Sequence, residues 1–405
     1  MEGFASIISQ FLDWGLLFYF IVGVLFGVFV GILPGVGGTV GLAVGLPLVF
    51  SANPLHGLVF LLSIHAVATN GGAVTAILLN VPGTGQNAAT ILDGYPLSQQ
   101  GRAGLALGVA QASSSIGGIF GAIVLLAALP LMRMVVLKFG PPEFFMLAMA
   151  GVCFVSVIGG EDRLKGLFAG GLGLLISLVG FVPTTGVYRY TFGLLYLRDG
   201  VQLIPVIVGL FAIAEMLVMA QKGEAIASID HKVGGKDVFE GIKETFKRWK
   251  LVLQCSAIGT VIGALPGIGG ITASFLAYGY AAQTSKEKDK FGKGAIDGVI
   301  GPESANNAKE GGALIPTLGF GIPGSAGMAI LMGAMMMFGI APGPNFLVNH
   351  TPILYGMAIA LVLANLVAAV LLVFASNWLV KVTLLRPSVL CPLVWVIALL
   401  GSLCH

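Results

Sequence analysis

Long apolar runs separated by short polar segments dominate this chain, and they predict membrane-spanning helices. Residues 16–33, 57–79 and 353–374 are apolar stretches of about the 20 residues that a helix needs to cross a bilayer. Residues 39–50, 271–282 and 311–320 are apolar but too short to cross it. We interpret the short runs as half-helices that flank interruptions of the helical pattern.

One long polar segment, residues 221–250, divides the chain. Its many lysines indicate a cytoplasmic linker by the positive-inside rule. The pattern therefore predicts a first transmembrane repeat at residues 1–220 and a second at residues 251–405. Within the linker, the spacing of apolar residues in 237–249 predicts a helix on the membrane surface.

Two glycine- and proline-rich motifs each occur twice and in the same order. The first break, Gly-Ile-Leu-Pro-Gly-Val-Gly-Gly at 31–38, corresponds to the third break, Gly-Ala-Leu-Pro-Gly-Ile-Gly-Gly at 263–270. The second break, Asn-Val-Pro-Gly-Thr at 80–84, corresponds to the fourth break, Gly-Ile-Pro-Gly-Ser at 321–325. Proline removes a backbone donor and glycine weakens helices, so each motif interrupts a helix. The ordered matches predict an internal duplication with broken and re-entrant helices.

The charge pattern also predicts how the two repeats are oriented. No lysine or arginine precedes Arg102, whereas the basic linker comes directly before the second repeat. The N-terminus is therefore expected outside and the linker inside. This predicts inverted repeats, with Pro34 and Pro266 entering the membrane from opposite faces.

The breaks are also where the sequence predicts binding chemistry. Where a helix restarts, its free N–H groups favour an anion, and where one stops, its carbonyls suit Na⁺. Paired broken helices in two halves indicate a transporter site, although each break alone is equally consistent with a packing kink. The candidate substrate- or ion-binding residues are Pro34, Gly35, Gly37, Gly38, Thr39, Asn80, Pro82, Gly83, Thr84, Asn87, Pro266, Gly267, Gly269, Gly270, Thr272, Glu303, Asn306, Pro323, Gly324 and Ser325.

The polar stretch 301–310 and Asp93 each allow two interpretations. Glu303 and Asn306 lie in the polar stretch 301–310, which is either a functional group inside the membrane or an aqueous loop. Asp93 either faces the transport pathway or caps a loop, and the loop is the favoured reading.

Composition restricts the class of protein. The chain of 405 residues is 57% hydrophobic and 10% charged, against about 25% charged in soluble domains. This excludes a soluble globular protein and predicts an all-α polytopic membrane protein built from two homologous, inverted repeats. The net charge is +3 without a basic stripe, so no nucleic-acid partner is expected. Histidine and cysteine spacings predict no metal site, and no nucleotide-binding or hydrolase motif occurs, so neither an enzyme nor a resident cofactor is expected.

The doubled motifs resemble the large membrane subunit of the tripartite tricarboxylate transporter family. The resemblance rests on the four breaks together with residues 89–96, 301–306 and 319–320. It implies a multi-pass protein of the bacterial inner membrane that imports di- or tricarboxylates with co-transported Na⁺ or H⁺. It also implies two partners, a small four-helix membrane subunit and a periplasmic solute-binding protein. Family members usually carry further hydrophobic segments after the point where this chain ends, so the resemblance predicts either a short variant of the family or a second repeat truncated at its C-terminus. The alternative is a channel-like or structural membrane subunit without coupled transport.

Overall fold

The computed structural model describes residues 11, 13–33, 35–136, 138–140, 142–143, 145–146, 149, 163–182, 187–214, 217 and 235–382. Pro34 lies outside the described residues, as do 221–234 of the predicted linker and 383–405 of the predicted second repeat. The predicted domain bounds therefore remain predictions.

The described elements are mainly helices, numbered here in chain order. They are α1 (Trp14–Ile32), α2 (Gly37–Gly45), α3 (Pro54–Leu79), α4 (Ala88–Leu97), α5 (Ala103–Val136), α6 (Arg163–Ser177), β1 (Gly180–Val182), β2 (Val187–Arg189), α7 (Leu203–Ile207), α8 (Gly235–Lys247), α9 (Trp249–Gly263), α10 (Gly269–Thr284), α11 (Ile296–Phe320), α12 (Ala326–Met337), α13 (Pro344–Asn349) and α14 (Thr351–Val382).

Four helical stretches are long and apolar enough to cross a membrane. Among the described residues these are Trp14–Ile32, Pro54–Leu79, Gly85–Val136 and Thr351–Phe374. The prediction of a multi-pass helical membrane protein is confirmed at this level. Beside the helices, β1 and β2 form a short antiparallel pair in which Phe181 is opposite Tyr188, and this pair leaves the all-α class unchanged.

The first helices fold into a hairpin that packs on α3. Gly23, Gly27 and Gly31 of α1 approach Phe60, Ile64 and Ala68 of α3 in turn, so these two helices run in the same direction.

The short helix α2 runs back along α3, because Gly38 lies by His65 and Gly45 lies by Phe60. The chain thus turns around at the first break. Such a reversal is expected of a re-entrant element, which enters and leaves a membrane on the same side.

The helices around the third break repeat this arrangement. Gly259 and Gly263 of α9 approach Ala305 and Lys309 of α11, so α9 and α11 run in the same direction. Helix α10 runs back along α11 and meets Gly301 through Ala277 and Ala281. Each half therefore contains a hairpin packed against one long helix.

The two long helices, α3 and α11, lie at the centre and run antiparallel. Asn307 Nδ2 donates to Asn70 Oδ1 at 2.5 Å, while one turn further along α11 Glu310 approaches His65, which lies earlier on α3. Thr69 Oγ1 also donates to Asn307 Oδ1 at 2.9 Å. Every residue of α3 from Gly57 to Leu79 is buried.

The structure differs from the sequence-based expectations at residues 301–320 and 237–249. Residues 311–320 are no separate half-helix, because they belong to the continuous helix α11. Of the two readings of 301–310, the aqueous loop is excluded, because every residue of α11 from Gly298 to Leu314 is buried although Pro302, Pro316 and the polar residues resemble a loop. The predicted helix at 237–249 is instead α8, and Trp249 already starts α9.

Candidate functional site

All four breaks border one cavity of about 1150 Å³ between the two hairpins. This central cavity is lined by Gly35–Val40 from the first break, by Thr84–Gln86 after the second and by Gly267–Thr272 from the third. Gly324–Gly327 from the fourth break complete the wall, together with His65, Thr69, Leu210 and Phe211.

Glycine is needed at the two hairpin tips because the backbone is left-handed there. The φ angles are 77° at Gly35 and 71° at Gly37, and 86° at Gly267 and 78° at Gly269. L-residues rarely adopt these angles, whereas glycine adopts them readily. The same pair of turns therefore reverses the chain at the first and at the third break.

Three helices begin at the cavity wall. Helix α2 starts at Gly37, α10 at Gly269 and α12 at Ala326, and each starts beside the lining residues. The first N–H groups of a helix have no partner within it and carry a positive partial charge. Ser325 satisfies one of them by accepting from the Met328 N–H at 3.3 Å. The remaining groups make this cavity suitable for an anion.

A buried charged group adjoins the cavity. His65 Nε2 lies 3.2 Å from Glu310 Oε2, and Lys309 Nζ lies 2.6 Å from Glu310 Oε1. We call these three residues the His65 triad. Lys309 and Glu310 are fully buried, while His65 belongs to the cavity wall and is the titratable side chain among its lining residues.

A second buried carboxylate, Glu303, is held by neutral groups. Its Oε1 accepts from Thr90 Oγ1 at 2.5 Å and from Asn87 Nδ2 at 3.1 Å, and its Oε2 accepts from Ser114 Oγ at 2.7 Å. We call these four residues the Glu303 cluster. Thr84 connects it to the cavity wall, because Thr84 Oγ1 donates to Asn87 Oδ1 at 2.7 Å.

The described part of the chain contains no group of three or more histidine, cysteine, aspartate or glutamate side chains that could hold a metal ion.

Comparison with known families decides which kind of protein carries this cavity. The model of the tripartite tricarboxylate transporter TctA family matches residues 17–404. The chain belongs to this family. The family resemblance inferred from the four breaks is thus confirmed, and the chain is a component of a transporter family rather than of an enzyme family.

Two relatives of this family member are known from Agrobacterium vitis. One, described as an uncharacterized 52.8 kDa protein in the TAR-I ttuC' 3' region, is 37% identical over 383 residues, which cover 94% of this chain and 75% of the relative. The other, an uncharacterized protein in the TAR-II ttuC' 3' region, is 36% identical over 143 residues, covering 35% of this chain and 59% of the relative. No solved structure matches the chain.

The structure brings most of the predicted residues of this TctA-family chain to the cavity or to its wall. The residues that line it are Gly35, Gly37, Gly38, Thr39, Thr84, Gly267, Gly269, Gly270, Thr272, Gly324 and Ser325. Asn87 and Glu303 lie behind this wall in the Glu303 cluster. Gly83 is buried behind it too, where an added Cβ would be 2.4 Å from the Gly31 oxygen.

Other predicted residues do not reach the cavity. Asn80 is exposed and ends α3 in a left-handed conformation, with φ of 59°. Pro82, Pro266 and Pro323 are half-buried and set the turns without lining the cavity. Asn306 is fully buried on α11, where its amide has no hydrogen-bond partner among the described residues.

The sequence alone does not predict the His65 triad. His65 has no other histidine at a metal-binding spacing, and Lys309 and Glu310 lie in the stretch 301–310, for which a loop is one of the two readings. A signal existed, because Glu303, Asn306, Asn307 and Glu310 recur at the three- and four-residue spacing of one helical face. Asp93 follows its favoured reading, since it accepts from the Gly294 and Ala295 N–H groups at 2.9 and 2.8 Å and caps the loop before α11.

Proposed function

We propose that this protein is the permease subunit of an ion-gradient-driven transporter of di- or tricarboxylates, and that the central cavity is its substrate site. The observation that carries the proposal is the convergence of three helix N-termini on one cavity. A substrate with several carboxylates can place one at each of these positive ends.

The cavity favours anions without binding them as strongly as a cluster of arginines would. No lysine or arginine is among the described lining residues, so backbone N–H groups and hydroxyls supply the contacts. Thr39, Thr272 and Ser325 place hydroxyls beside the restarting helices. Release of substrate is part of every transport cycle, and moderate affinity allows it.

The helix directions support an inverted repeat as the basis of alternating access. The first helix of each hairpin runs parallel to its own long helix, and α3 and α11 are antiparallel. The first hairpin would then enter the membrane from the outside and the second from the cytoplasm. Movement of one half against the other would open the cavity to each side in turn.

The remaining parts of the proposal follow from the family. The partners are a small four-helix membrane subunit and a periplasmic solute-binding protein, and the location is the bacterial inner membrane. The co-transported ion is Na⁺ or H⁺. The Glu303 cluster and the His65 triad are the buried groups to which such a cation is attracted.

The proposal predicts gradient-driven uptake. Vesicles that contain the complex purified through this chain should accumulate labelled di- and tricarboxylates above the external concentration when a Na⁺ or proton gradient is imposed. Uptake of labelled substrate over time, with and without each gradient, measures this. Equilibration without accumulation in every condition would instead support the channel-like alternative.

A matched pair of variants tests whether the cavity is the site. Thr39→Trp fills the cavity next to α2 and should reduce uptake at least tenfold. A tenfold loss of affinity corresponds to about 1.4 kcal/mol of binding free energy. Thr284→Trp, at the exposed end of α10 and away from the lining residues, should leave uptake unchanged. Equal uptake by both variants would show that the cavity is not part of the transport pathway.

The inverted arrangement makes a separate prediction about topology. A cysteine introduced at Gln10 should react with a membrane-impermeant thiol reagent from the outside, whereas one introduced at Lys236 should react only after the cells are opened. Labelling of both positions from the same face would refute inversion. Variants that retain uptake show that the labelled protein is native.

A further inference from the structure

We infer that the His65 triad is a proton-binding site whose protonation is thermodynamically coupled to carboxylate binding in the central cavity. The inference rests on the proposed function and specifies its coupling ion as H⁺. It comes from the position of His65, which touches both the buried ion pair of α11 and the cavity.

The charge balance within the triad allows it to bind one proton. Glu310 is fully buried and already paired with Lys309, whose Nζ lies 2.6 Å from its Oε1. With neutral His65 the triad is therefore neutral. A proton on His65 adds one positive charge, and the second oxygen of Glu310, 3.2 Å from Nε2, stabilises it. The triad thus alternates between two charge states without leaving a buried carboxylate unpaired.

Nδ1 is the ring nitrogen available to accept this proton. Nε2 lies 3.2 Å from a Glu310 carboxylate oxygen without forming an aligned hydrogen bond to it, and the negative charge favours the hydrogen of neutral histidine on this nitrogen. Nδ1 then has a free lone pair, and it has no hydrogen-bond partner among the described residues. It lies 3.0 Å from the position of a Cβ added to Gly38, at the cavity wall. A proton from cavity water therefore adds to Nδ1, and it leaves from the same atom.

His65 also lies where the substrate carboxylate is expected to bind. The ring of His65 lies between the starts of α2 and α12, where Gly38 and Gly327 leave just enough room for it. Both helices present N–H groups to the cavity at this point. A charged imidazole next to them adds its attraction for a carboxylate to theirs. By reciprocity, a bound carboxylate makes His65 hold its proton more strongly.

No other charge competes at this position in the described residues. Helices α2 and α12 contain no titratable side chain, and Tyr19 of α1 instead contacts His56 and Phe60. On α11, Lys309 and Glu310 face the imidazole, and Glu303 is two turns away in its own cluster. On α14, the titratable residue Tyr355 packs against an apolar cluster.

The coupling has a definite direction with pH. Carboxylate affinity should be highest where His65 is protonated and should fall as the pH rises and the proton is lost. We expect about a tenfold loss between pH 5.5 and 8, within the usual range of coupling between two sites.

The test measures equilibrium binding of labelled citrate, used as a probe, to the complex in nanodiscs across this range of pH. Because citrate itself titrates, the measured quantity is the ratio of wild-type to variant affinity at each pH. For His65→Gln the ratio should fall about tenfold from pH 5.5 to 8. For His56→Gln, on the same helix but at the Tyr19 ring, it should stay constant.

Transport gives the second readout. His65→Gln should lose accumulation driven by a pH gradient while it retains citrate exchange between the two sides, because exchange needs no net proton movement. Glu310→Gln provides a second variant in case His65→Gln fails to fold, and it should reduce the pH dependence in the same sense. Elution as a single species in size-exclusion chromatography identifies folded variants.

Each outcome has a distinct meaning. A constant ratio for folded His65→Gln, or pH-driven accumulation equal to that of the wild type, would overturn proton coupling at the triad. Accumulation driven by Na⁺ alone would overturn it as well. In all these cases transport itself persists. Absence of binding, exchange and uptake by the wild type would instead refute the proposed function.

Discussion

Replacement of Glu303 by alanine is expected to abolish carboxylate uptake, the largest functional effect that we predict. The substitution removes the shared acceptor of Thr90, Asn87 and Ser114. It leaves the buried hydroxyls of Thr90 and Ser114 without this acceptor, whereas Asn87 Nδ2 keeps its bond to the Thr69 oxygen. Each buried unsatisfied group costs about 1–3 kcal/mol. Because Asn87 also holds Thr84 in the cavity wall, the loss reaches the site itself.

Glu303→Gln separates charge from hydrogen bonding. The amide keeps one acceptor oxygen and the side-chain length but removes the negative charge. If the cluster attracts the coupling cation, this variant should fold like the wild type, but its gradient-driven uptake should fall at least tenfold. Uptake is measured in vesicles, and folding by thermal melting of the purified protein. Wild-type uptake by Glu303→Gln would show that the cluster has only a structural role.

The conservative variants Thr90→Ser and Ser114→Thr are the matched controls, because they keep the hydroxyl donors next to Glu303. Both should keep most of the uptake. If these variants lost uptake as completely as Glu303→Gln, tight packing rather than charge would be the property that matters at this cluster.

The second large effect is expected at the helix contacts behind the breaks. Gly31 of α1 and Gly263 of α9 lie so close to the neighbouring long helix that an added Cβ would be 2.2 Å from the Ala68 oxygen and 2.3 Å from the Lys309 oxygen. Both obstacles are backbone atoms, which cannot rotate away. Gly31→Ala and Gly263→Ala should therefore each destabilise the protein by about 1–3 kcal/mol, the usual cost of overpacking.

The measurement is the midpoint of thermal unfolding of the purified protein, followed by the fraction that remains monodisperse. Gly279→Ala on α10 is the matched control, since an added Cβ there meets nothing within 4 Å. This variant should be as stable as the wild type or slightly more stable, because alanine favours helices. Equal midpoints for all three variants would mean that the helices separate without cost, which contradicts the close packing.

The sequence by itself determined the class of the protein and the positions of its breaks. Apolar runs long enough to cross a bilayer are typical of membrane-spanning helices. Proline and glycine weaken or interrupt a helix through their own backbone properties. The second and fourth breaks were predicted for the same local reason, and Asn80 and Gly321 do end α3 and α11 in left-handed conformations, with φ of 59° and 68°. These features depend on neighbouring residues, which a single sequence displays.

Only the tertiary structure decided which residues meet. His65 and Glu310 are separated by most of the chain, and nothing in the local pattern of either one indicates the other. Lys309 and Glu310 looked like part of a polar loop, because the cost of burying a charge depends on the partners that the fold supplies. The same holds for Asn80, Pro82, Pro266 and Pro323, which belong to the predicted site motifs but do not line the cavity. Local composition fixes where a helix breaks, whereas the packing of distant helices determines which groups face the same space.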